Sequence, residues 1–517
     1  MTDPLPGDLS AVLRTAAQRS PDRPFLLGEG APVTFADLDG RADRCAAGLA
    51  ARGIAPGDRV AVAGLNTVDW LTLFFGATRL GAAVVTLNVR YRETELEYML
   101  GQSGTRLVVT PAELAGFDYR VLYAALAARL PHLERVVFFG DDGPDGFGTL
   151  LATDGDVPDV PLDESTPAVV LYTSGTTGRP KGAVLTHGSL LASASGQQER
   201  QSTGPDDVLV ATLPFNHVGG ITCTIVHALV ASARVALVPA FSPTAALDAA
   251  SEHRATVLAG VPTMYVLMLA ELAKSDHDLS AVRIAVAGGS NVDPPLARAM
   301  AEAFPGAHVE NLYGLSETSG ACVISAADDD LATVCETLGT PLSGVEVHVV
   351  DPATGAEVPD GEDGELQVRG PSVAAGYWEM PAETTAAFRD GWLATGDMVT
   401  RRPDGHLVLR GRLKEMFLQG GFNVYPVEVE NVLAAHPGVA LAAGIGIPDP
   451  VLGEIGMYFV VPRDPDTPPS AEQLTAWCRE RLADYKVPRR IEVRGELPTT
   501  PAGKIAKAQL RGEVVGS

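Results

Sequence analysis

The feature that most constrains this chain is an alternation repeated through its first 290 residues or so. Short β-branched runs recur: RVAVAGL from Arg59, AAVVTLN from Ala82, RLVVT from Arg106 and RVVFF from Arg135. Ala/Leu-rich stretches that read as amphipathic, such as WLTLFFGATRLG from Trp70, lie between them. The pattern continues through VLVATLPF (from Val208), ARVALVPA (from Ala233), RATVLAG (from Arg254) and VRIAVAGG, which ends at Gly289. Strand, helix and strand in succession demand crossover connections, and crossovers produce parallel sheets layered with helices. The texture changes after about Leu338. VEVHVVDPATGAEVPDGEDGELQVRG reads as strands joined by tight turns at DPATG and PDGEDG. After Gly411 a third pattern begins: the helical VEVENVLAAHPGV, the strands LAAGIGIPD and EIGMYFVVPRD, the helical SAEQLTAWCRERLADY and a last strand, RIEVRG.

A chain of 517 residues is too long for one simple core, and 46% apolar residues supply more than one. The expected architecture is an α/β large N-terminal domain over 1–410, with layered α/β subdomains and a small β-rich subdomain. A small mobile α+β C-terminal domain follows over 411–517. No internal repeat of 20–50 residues is evident.

The formal net charge of −25, with no dense Lys/Arg cluster, argues against nucleic acid and anionic membrane as partners. No run of 18 uncharged apolar residues occurs, and MTDPLPGDLS lacks the pattern of a signal peptide. Cys45, Cys223, Cys322, Cys335 and Cys478 form no CxxC pair and no metal-ligand spacing. The expected compartment is the cytoplasm.

YTSGTTGRPKG, from Tyr172 to Gly182, follows the strand-like AVVLY. It is not a Walker A loop, because Pro180 stands where that pattern needs glycine. Its glycines still permit turns closed to other residues, and Ser174, Thr176, Thr177 and Lys181 can surround an anion. An ordinary Ser/Gly hairpin loop is the alternative. Gly288 and Gly289 close a strand where a flat ligand can approach, or they make a plain strand-to-helix turn. In NLYGLSETSG, from Asn311, Tyr313 can lie against a base, Ser316 can donate to a phosphate oxygen and Glu317 can hold Mg²⁺ beside a triphosphate; a polar turn is the alternative. Asp397 in GWLATGDMV can accept two ribose hydroxyls, or serve a plain turn. GRLKEMFLQGGFNVYP, from Gly411, carries Arg412 within reach of ribose or phosphate and Lys414 in the presumptive hinge. Lys504 in TPAGKIAK is a surface lysine in isolation, or a cation held on a small domain.

In this order and at these separations, the segments resemble the acyl- and aryl-CoA synthetases (AMP-forming) of the acid-adenylating superfamily, which also includes luciferases and peptide-synthetase adenylation domains. The resemblance runs from about Pro21 to the terminus. It implies that a carboxylic acid and Mg·ATP form an acyl-adenylate and pyrophosphate. The small domain then rotates, and a thiol takes the acyl group. The cofactors implied are ATP, Mg²⁺ and coenzyme A.

Carried over residue by residue, the phosphate loop comprises Thr173, Ser174, Gly175, Thr176, Thr177, Gly178 and Lys181. The nucleotide-binding set continues with Gly288, Gly289, Ser290, Asn311, Tyr313 and Gly314. Ser316, where the family often has threonine, faces the α-phosphate, and Glu317 binds Mg²⁺. Asp397, helped by Arg412, holds the ribose, and Lys504 is the lysine of adenylation. Lys414 is the hinge; Gly420, Gly421 and Phe422 belong to the thioester channel. Glu415 replaces the family's aspartate, and Lys507 keeps the charge usual beyond GKI.

PFNHVGG resembles the segment bordering the acyl pocket, which implicates His217 and Gly220, with Tyr265 and Ala287 nearby; a satisfied core histidine is the alternative for His217. Gly219 and Met264 are further candidates. The substrate expected is a small or medium carboxylic acid, with a ring or a medium chain. Dicarboxylates are disfavoured because no cation is dedicated to a distal carboxylate. Coenzyme A is the expected acceptor, since the chain ends soon after GKI with no fused carrier domain. The alternatives are a free acyl carrier protein, a non-thiol nucleophile, and, in another class, a nonenzymatic nucleotide-binding module. A monomer or a homodimer fits equally.

Overall fold

The computed structural model describes residues 7–28, 30–153, 155–173, 179–289, 292–500 and 504–515. A nine-stranded sheet runs, edge to edge, Thr340–Pro341, Gly320–Ile324, His308–Leu315, Ile284–Gly288, Val257–Gly260, Val208–Ala211, Arg234–Leu237, Pro24–Leu27 and Val33–Thr34. Its interior pairings from His308–Leu315 across to Pro24–Leu27 are all parallel. A six-stranded sheet has the order Lys181–Thr186, Pro167–Thr173, Ala83–Leu87, Arg59–Ala63, Leu107–Pro111 and Arg135–Phe139. It too is parallel, except for the antiparallel edge strand Lys181–Thr186. The parallel α/β layering expected from the alternating runs is therefore the architecture of the large domain.

The largest core lies between these sheets and includes Phe25, Phe35, Trp70, Phe74, Phe75 and Phe215, all buried. Each such side chain contributes roughly 1.5–3 kcal/mol on leaving water. The helix Val68–Arg79 departs from its amphipathic reading: from Trp70 to Arg79 every residue is buried. It lies in the core between the sheets, so it has no water-facing stripe to fill with charge. Its Arg79 is accommodated by Asp39 and Asp43, each at 2.5 Å, and by Ser10 Oγ at 2.8 Å. That set of partners satisfies a cation which would otherwise be prohibitive at such depth.

The β-rich part is an antiparallel sheet of Glu346–Val350, Asp363–Arg369, Trp392–Arg401 and Phe388–Arg389, with Leu407–Arg412 also paired to Trp392–Arg401. Beyond it, Phe422–Val424, Phe417–Gln419, Gly453–Pro462 and Val439–Asp449 form another sheet, which Arg490–Val493 joins in parallel. The helices Pro426–Ala434 and Ala471–Arg479 complete this α+β unit. Pro426 opens its helix at the first turn, where a missing N–H costs nothing. Gly420 and Gly421 (φ +62° and +86°) form the two-residue turn between Gln419 and Phe422, a geometry that favours glycine at both places.

Two features fall outside the regular reading. Ile221–Val226 is a π-helix, a wide winding that is rare and concentrated at functional sites. Glu310, in the strand His308–Leu315, is 2% exposed and accepts a 2.5 Å hydrogen bond from Gln201 Nε2. Burial pushes its carboxyl up to about 7 from 4.5, against the opposing effects of Gln201, Arg200 and Arg283. Between these two pH values the folded chain holds a proton that the unfolded chain has lost. Stability from this group therefore falls as pH rises through that window, by on the order of 3 kcal/mol. Glu310→Gln is expected to raise the thermal midpoint at pH 8 and to change it little at pH 4.5, measured by calorimetry at the two pH values. Equal shifts at both would refute the assignment.

Candidate active site

The parallel strands of the large sheet end together, and ligands bind at such carboxyl edges in open α/β sheets. Here Gly260, Gly288, Gly289 and Gly314 gather at the mouth of a cavity that Lys504 enters from the other end of the chain. A Cβ built on Gly289 would stand 3.8 Å from Lys504 Cε. The lysine's backbone is braced: Thr500 N donates to Lys504 O at 2.6 Å, and Lys504 N donates to Thr500 Oγ1 at 3.2 Å. Burial and then Arg412 lower the Lys504 pKa from 10.5, while Asp397 and Glu317 act in the opposite sense.

Asp397 and Arg412 are direct cross-strand partners in the antiparallel sheet. Arg412 Nε lies 2.9 Å from Asp397 Oδ1, and Tyr313 Oη donates to Asp397 Oδ2 at 2.7 Å. Each carboxylate oxygen has two lone pairs, so one acceptor site per oxygen stays open for a diol. Burial raises the Asp397 pKa, with Arg412 and Tyr313 opposing it. Glu317 sits in the 3₁₀ turn Ser316–Thr318 beside Ser316. Its Oε1 accepts 2.8 Å from Tyr377 Oη, and the Tyr377 ring lies 4.9 Å beneath Lys181 Nζ. Thr173 and Lys181 face each other at the ends of their paired strands. Ser174, Gly175, Thr176, Thr177, Gly178 and Ser290 lie outside the described residues.

His217 caps the short helix Val218–Gly220, accepting from Gly219 N through Nδ1 at 3.2 Å, and lines the cavity with Gly219. Burial, then Lys504, lowers its pKa to about 4, so the ring is neutral near pH 7. The remaining wall includes Leu213, Cys223, Thr224, Val257, Ala259, Val261, Val286 and Leu312.

Several expected pocket residues lie elsewhere. Ala287 is adjacent in sequence to Val286 and Gly288, so the period of two turns it to the opposite face of its strand, where it joins a second core. Tyr265 is fully buried in that same core and donates to Leu258 O at 2.6 Å. A Cβ on Gly220 would meet Pro214 O at 2.2 Å, which marks close packing of backbone rather than open pocket. Asn311 uses Nδ2 to hold Thr337 O at 2.9 Å, so its side chain ties two segments together.

Lys414 lies in the turn after Leu407–Arg412, where Glu415 N and Met416 N both bond back to Arg412 O at 3.0 Å. The Gly420–Gly421 turn and Phe422 do not line the cavity; Phe422 is 55% exposed and stacks on Tyr485 at 4.6 Å. Lys507 bridges Glu415 at 2.7 Å and Glu430 at 2.8 Å.

The sequence reading missed Tyr377 and two glutamines, Gln197 and Gln201, that line the deep end of the cavity. Tyr377 follows a glycine in a loop, with no periodic signal. The glutamines did carry one: Ser189, Ser193, Gln197 and Gln201 recur every fourth residue on the helix His187–Gln201, and all four are buried. A surface Ser275–His277–Asp248 constellation is no rival site. Ser275 Oγ donates to Glu271 O at 2.9 Å, so its hydroxyl closes a helix end.

An AMP-binding enzyme family model matches residues 13–378, and the AMP-binding enzyme C-terminal domain matches 428–504. The chain belongs to this family of adenylate-forming enzymes and is an AMP-forming acid–thiol ligase. It is 37% identical over 499 residues to a feruloyl-CoA synthase of Amycolatopsis sp, covering 96% of each chain. It is 38% identical over 511 residues to the 3-[(3aS,4S,7aS)-7a-methyl-1,5-dioxo-octahydro-1H-inden-4-yl]propanoyl:CoA ligase of Mycobacterium tuberculosis, covering 97% of this chain and 98% of that one. Among solved structures, the anthranilate CoA ligase AuaEII in complex with anthranoyl-AMP superposes with a TM-score of 0.91 at 28% identity, covering 99% and 98% of the chains. The family uses ATP and coenzyme A, typically with Mg²⁺. Among the described residues no helix is long and apolar enough to cross a membrane.

The Lys181–Tyr377–Glu317 contact generates a test. Removing a hydrogen bond to a charged group typically costs about 1.5–3 kcal/mol. With Glu317 as the expected Mg²⁺ ligand, Tyr377→Phe is expected to raise the Mg²⁺ concentration for half-maximal adenylation about tenfold. An unchanged Mg²⁺ dependence in pyrophosphate exchange would reduce Tyr377 to a packing residue.

Proposed function

We propose that this chain activates a ring-bearing carboxylic acid as its adenylate and passes the acyl group to coenzyme A. The observation that carries this reading is Lys504 lining the cavity within electrostatic reach of Arg412, Asp397 and Glu317. The acid carboxylate attacks the α-phosphorus and a P–O bond forms. The bond to the leaving pyrophosphate breaks as charge gathers on the phosphoryl oxygens. The Lys504 ammonium meets that charge in the transition state more strongly than in the ground state. Thr173 and Lys181 are assigned to the β,γ-phosphates with the loop between them, Ser316 to the α-phosphate, and Tyr313, Gly288, Gly289 and Gly314 to the base. Asp397 and Arg412 take the ribose.

Glu317 supplies one carboxylate, and no group of three His, Cys, Asp or Glu side chains suited to a metal occurs among the described residues. That fits Mg²⁺, which is commonly held by one or two carboxylates plus phosphate oxygens. When bound, it neutralises phosphate charge during attack.

The neutral His217 lines the cavity beside Lys504, where it can orient the acid without competing for its charge. While two relatives are named for fatty acids, the acids named for three others, feruloyl, a bicyclic propanoyl and anthranilate, carry rings. The apolar walls of Val257, Ala259, Val286 and Leu312 suit such a body.

For the second step, the division at 410/411 makes Lys414 the hinge. Rotation there withdraws Lys504 and brings Gly420, Gly421 and Phe422 toward the channel. The thiol then attacks the acyl carbon and AMP leaves.

Lys504→Ala is expected to lower adenylation by at least about 10²-fold while sparing thioester formation from supplied adenylate. Equal loss of both half-reactions would overturn its role. The lowered Lys504 pKa also places the alkaline limb of kcat/KM below 10.5, since the charged form exists only below the folded pKa. Lys414→Pro should harm thioesterification selectively; intact thioesterification counts against the hinge. An acid panel assayed for AMP release with coenzyme A, with a free carrier protein and with neither identifies the acceptor.

A further inference from the structure

The acid cavity has two unlike ends. It follows the strands of the large sheet from Val261 back to Val257, a span of about 13 Å at 3.3 Å per residue. Its sides are apolar, but Gln197 and Gln201 line it from the helix His187–Gln201, which belongs to the opposite wall. Gln201 lies at the floor: Arg283, just before the strand Ile284–Gly288, donates to its backbone carbonyl at 3.2 Å.

These glutamines are 1% and 5% exposed, where an apolar side chain would cost less. The bond from Gln201 Nε2 to Glu310 orients the amide and leaves Oε1 as the acceptor presented to the cavity. Gln197 Nε2 makes one long bond, 3.3 Å, to Ser193 O, and the side chain also hydrogen-bonds the Cys223 thiol, a weak acceptor that a hydroxyl oxygen can displace. His227, also lining this end, is neutral and is held by Thr203 Oγ1 at 2.6 Å. Arg283 is paired to Asp207 at 2.8 Å and Arg200 is spent on backbone carbonyls, so neither is available for a distal carboxylate. Above a pH of about 7, where Glu310 beneath the floor loses its proton, it would repel one.

We propose that the floor selects acids carrying a neutral hydroxyl at the end remote from the carboxylate, with Gln201 Oε1 accepting its proton and a Gln197 N–H donating to its oxygen. An adjacent donor and acceptor match a hydroxyl, which does both. The π-helix Ile221–Val226 supplies Cys223 and Thr224 to the cavity lining beside the glutamines.

The inference rests on the ligase reading, and the experiment separates their failures. Pyrophosphate exchange with the full chain and Mg·ATP is measured on matched acids: 4-hydroxycinnamate, cinnamate and 4-carboxycinnamate, and 8-hydroxyoctanoate against octanoate. The hydroxylated member of at least one pair is expected to exceed its partner in kcat/KM by about 10- to 100-fold, with the dicarboxylate poorest. Gln201→Met and Gln197→Met, which keep shape and remove polarity, should each shrink that ratio toward unity without altering the KM for ATP. Equal kcat/KM within both wild-type pairs overturns the polar floor, whether or not the variants fold. A preference that survives both substitutions overturns it as well. No exchange with any acid overturns the ligase reading and this inference together.

Discussion

Everything at the site depends on the parallel register of four strands: Val208–Ala211, Val257–Gly260, Ile284–Gly288 and His308–Leu315. Parallel pairing puts all four carboxyl ends on one edge, so the mouth can be built there from glycines. The same register aligns their opposite ends, and the floor lies between those ends and the end of an antiparallel helix. The chemistry and the selectivity are therefore two ends of one slot. Its length follows from strand geometry more than from any single side chain.

Much of this was legible in the sequence because it rests on local signals. β-Branched runs announce strands, and they formed where the alternation placed them. Strand-end glycines also serve plain turns, so the mouth was readable only from the order and spacing of the segments that carry Asp397, Glu317 and Lys504. What failed did so for geometric reasons. Ala287 sits next to cavity-facing neighbours, yet a strand sends adjacent side chains to opposite faces. Asn311 lies on its strand between Glu310 and Leu312, and its polarity serves a structural tie. Tyr265 pointed into a core that only the packing of neighbouring helices creates.

The glutamines are the instructive miss. On a helix rich in Ala, Ser and Gln, polar residues at a spacing of four read as the water-facing stripe. Here that stripe is the buried one, because sheet and π-helix close over it. Pattern alone cannot tell a wet face from a polar interior. A buried acid on a neighbouring strand is what distinguishes them, and strand pairing lies beyond the reach of local periodicity.

The Lys507 contacts have a mechanical consequence. This lysine lies just beyond Lys504 and is fastened to Glu415, the residue after Lys414, and to Glu430 on the helix Pro426–Ala434. The segment that carries Lys504 is thus tied both to the residue after the proposed hinge and to a helix of the small unit. In the rotation proposed above, these parts would travel as one body, so that a change of backbone torsion near Lys414 would carry Lys504 with it.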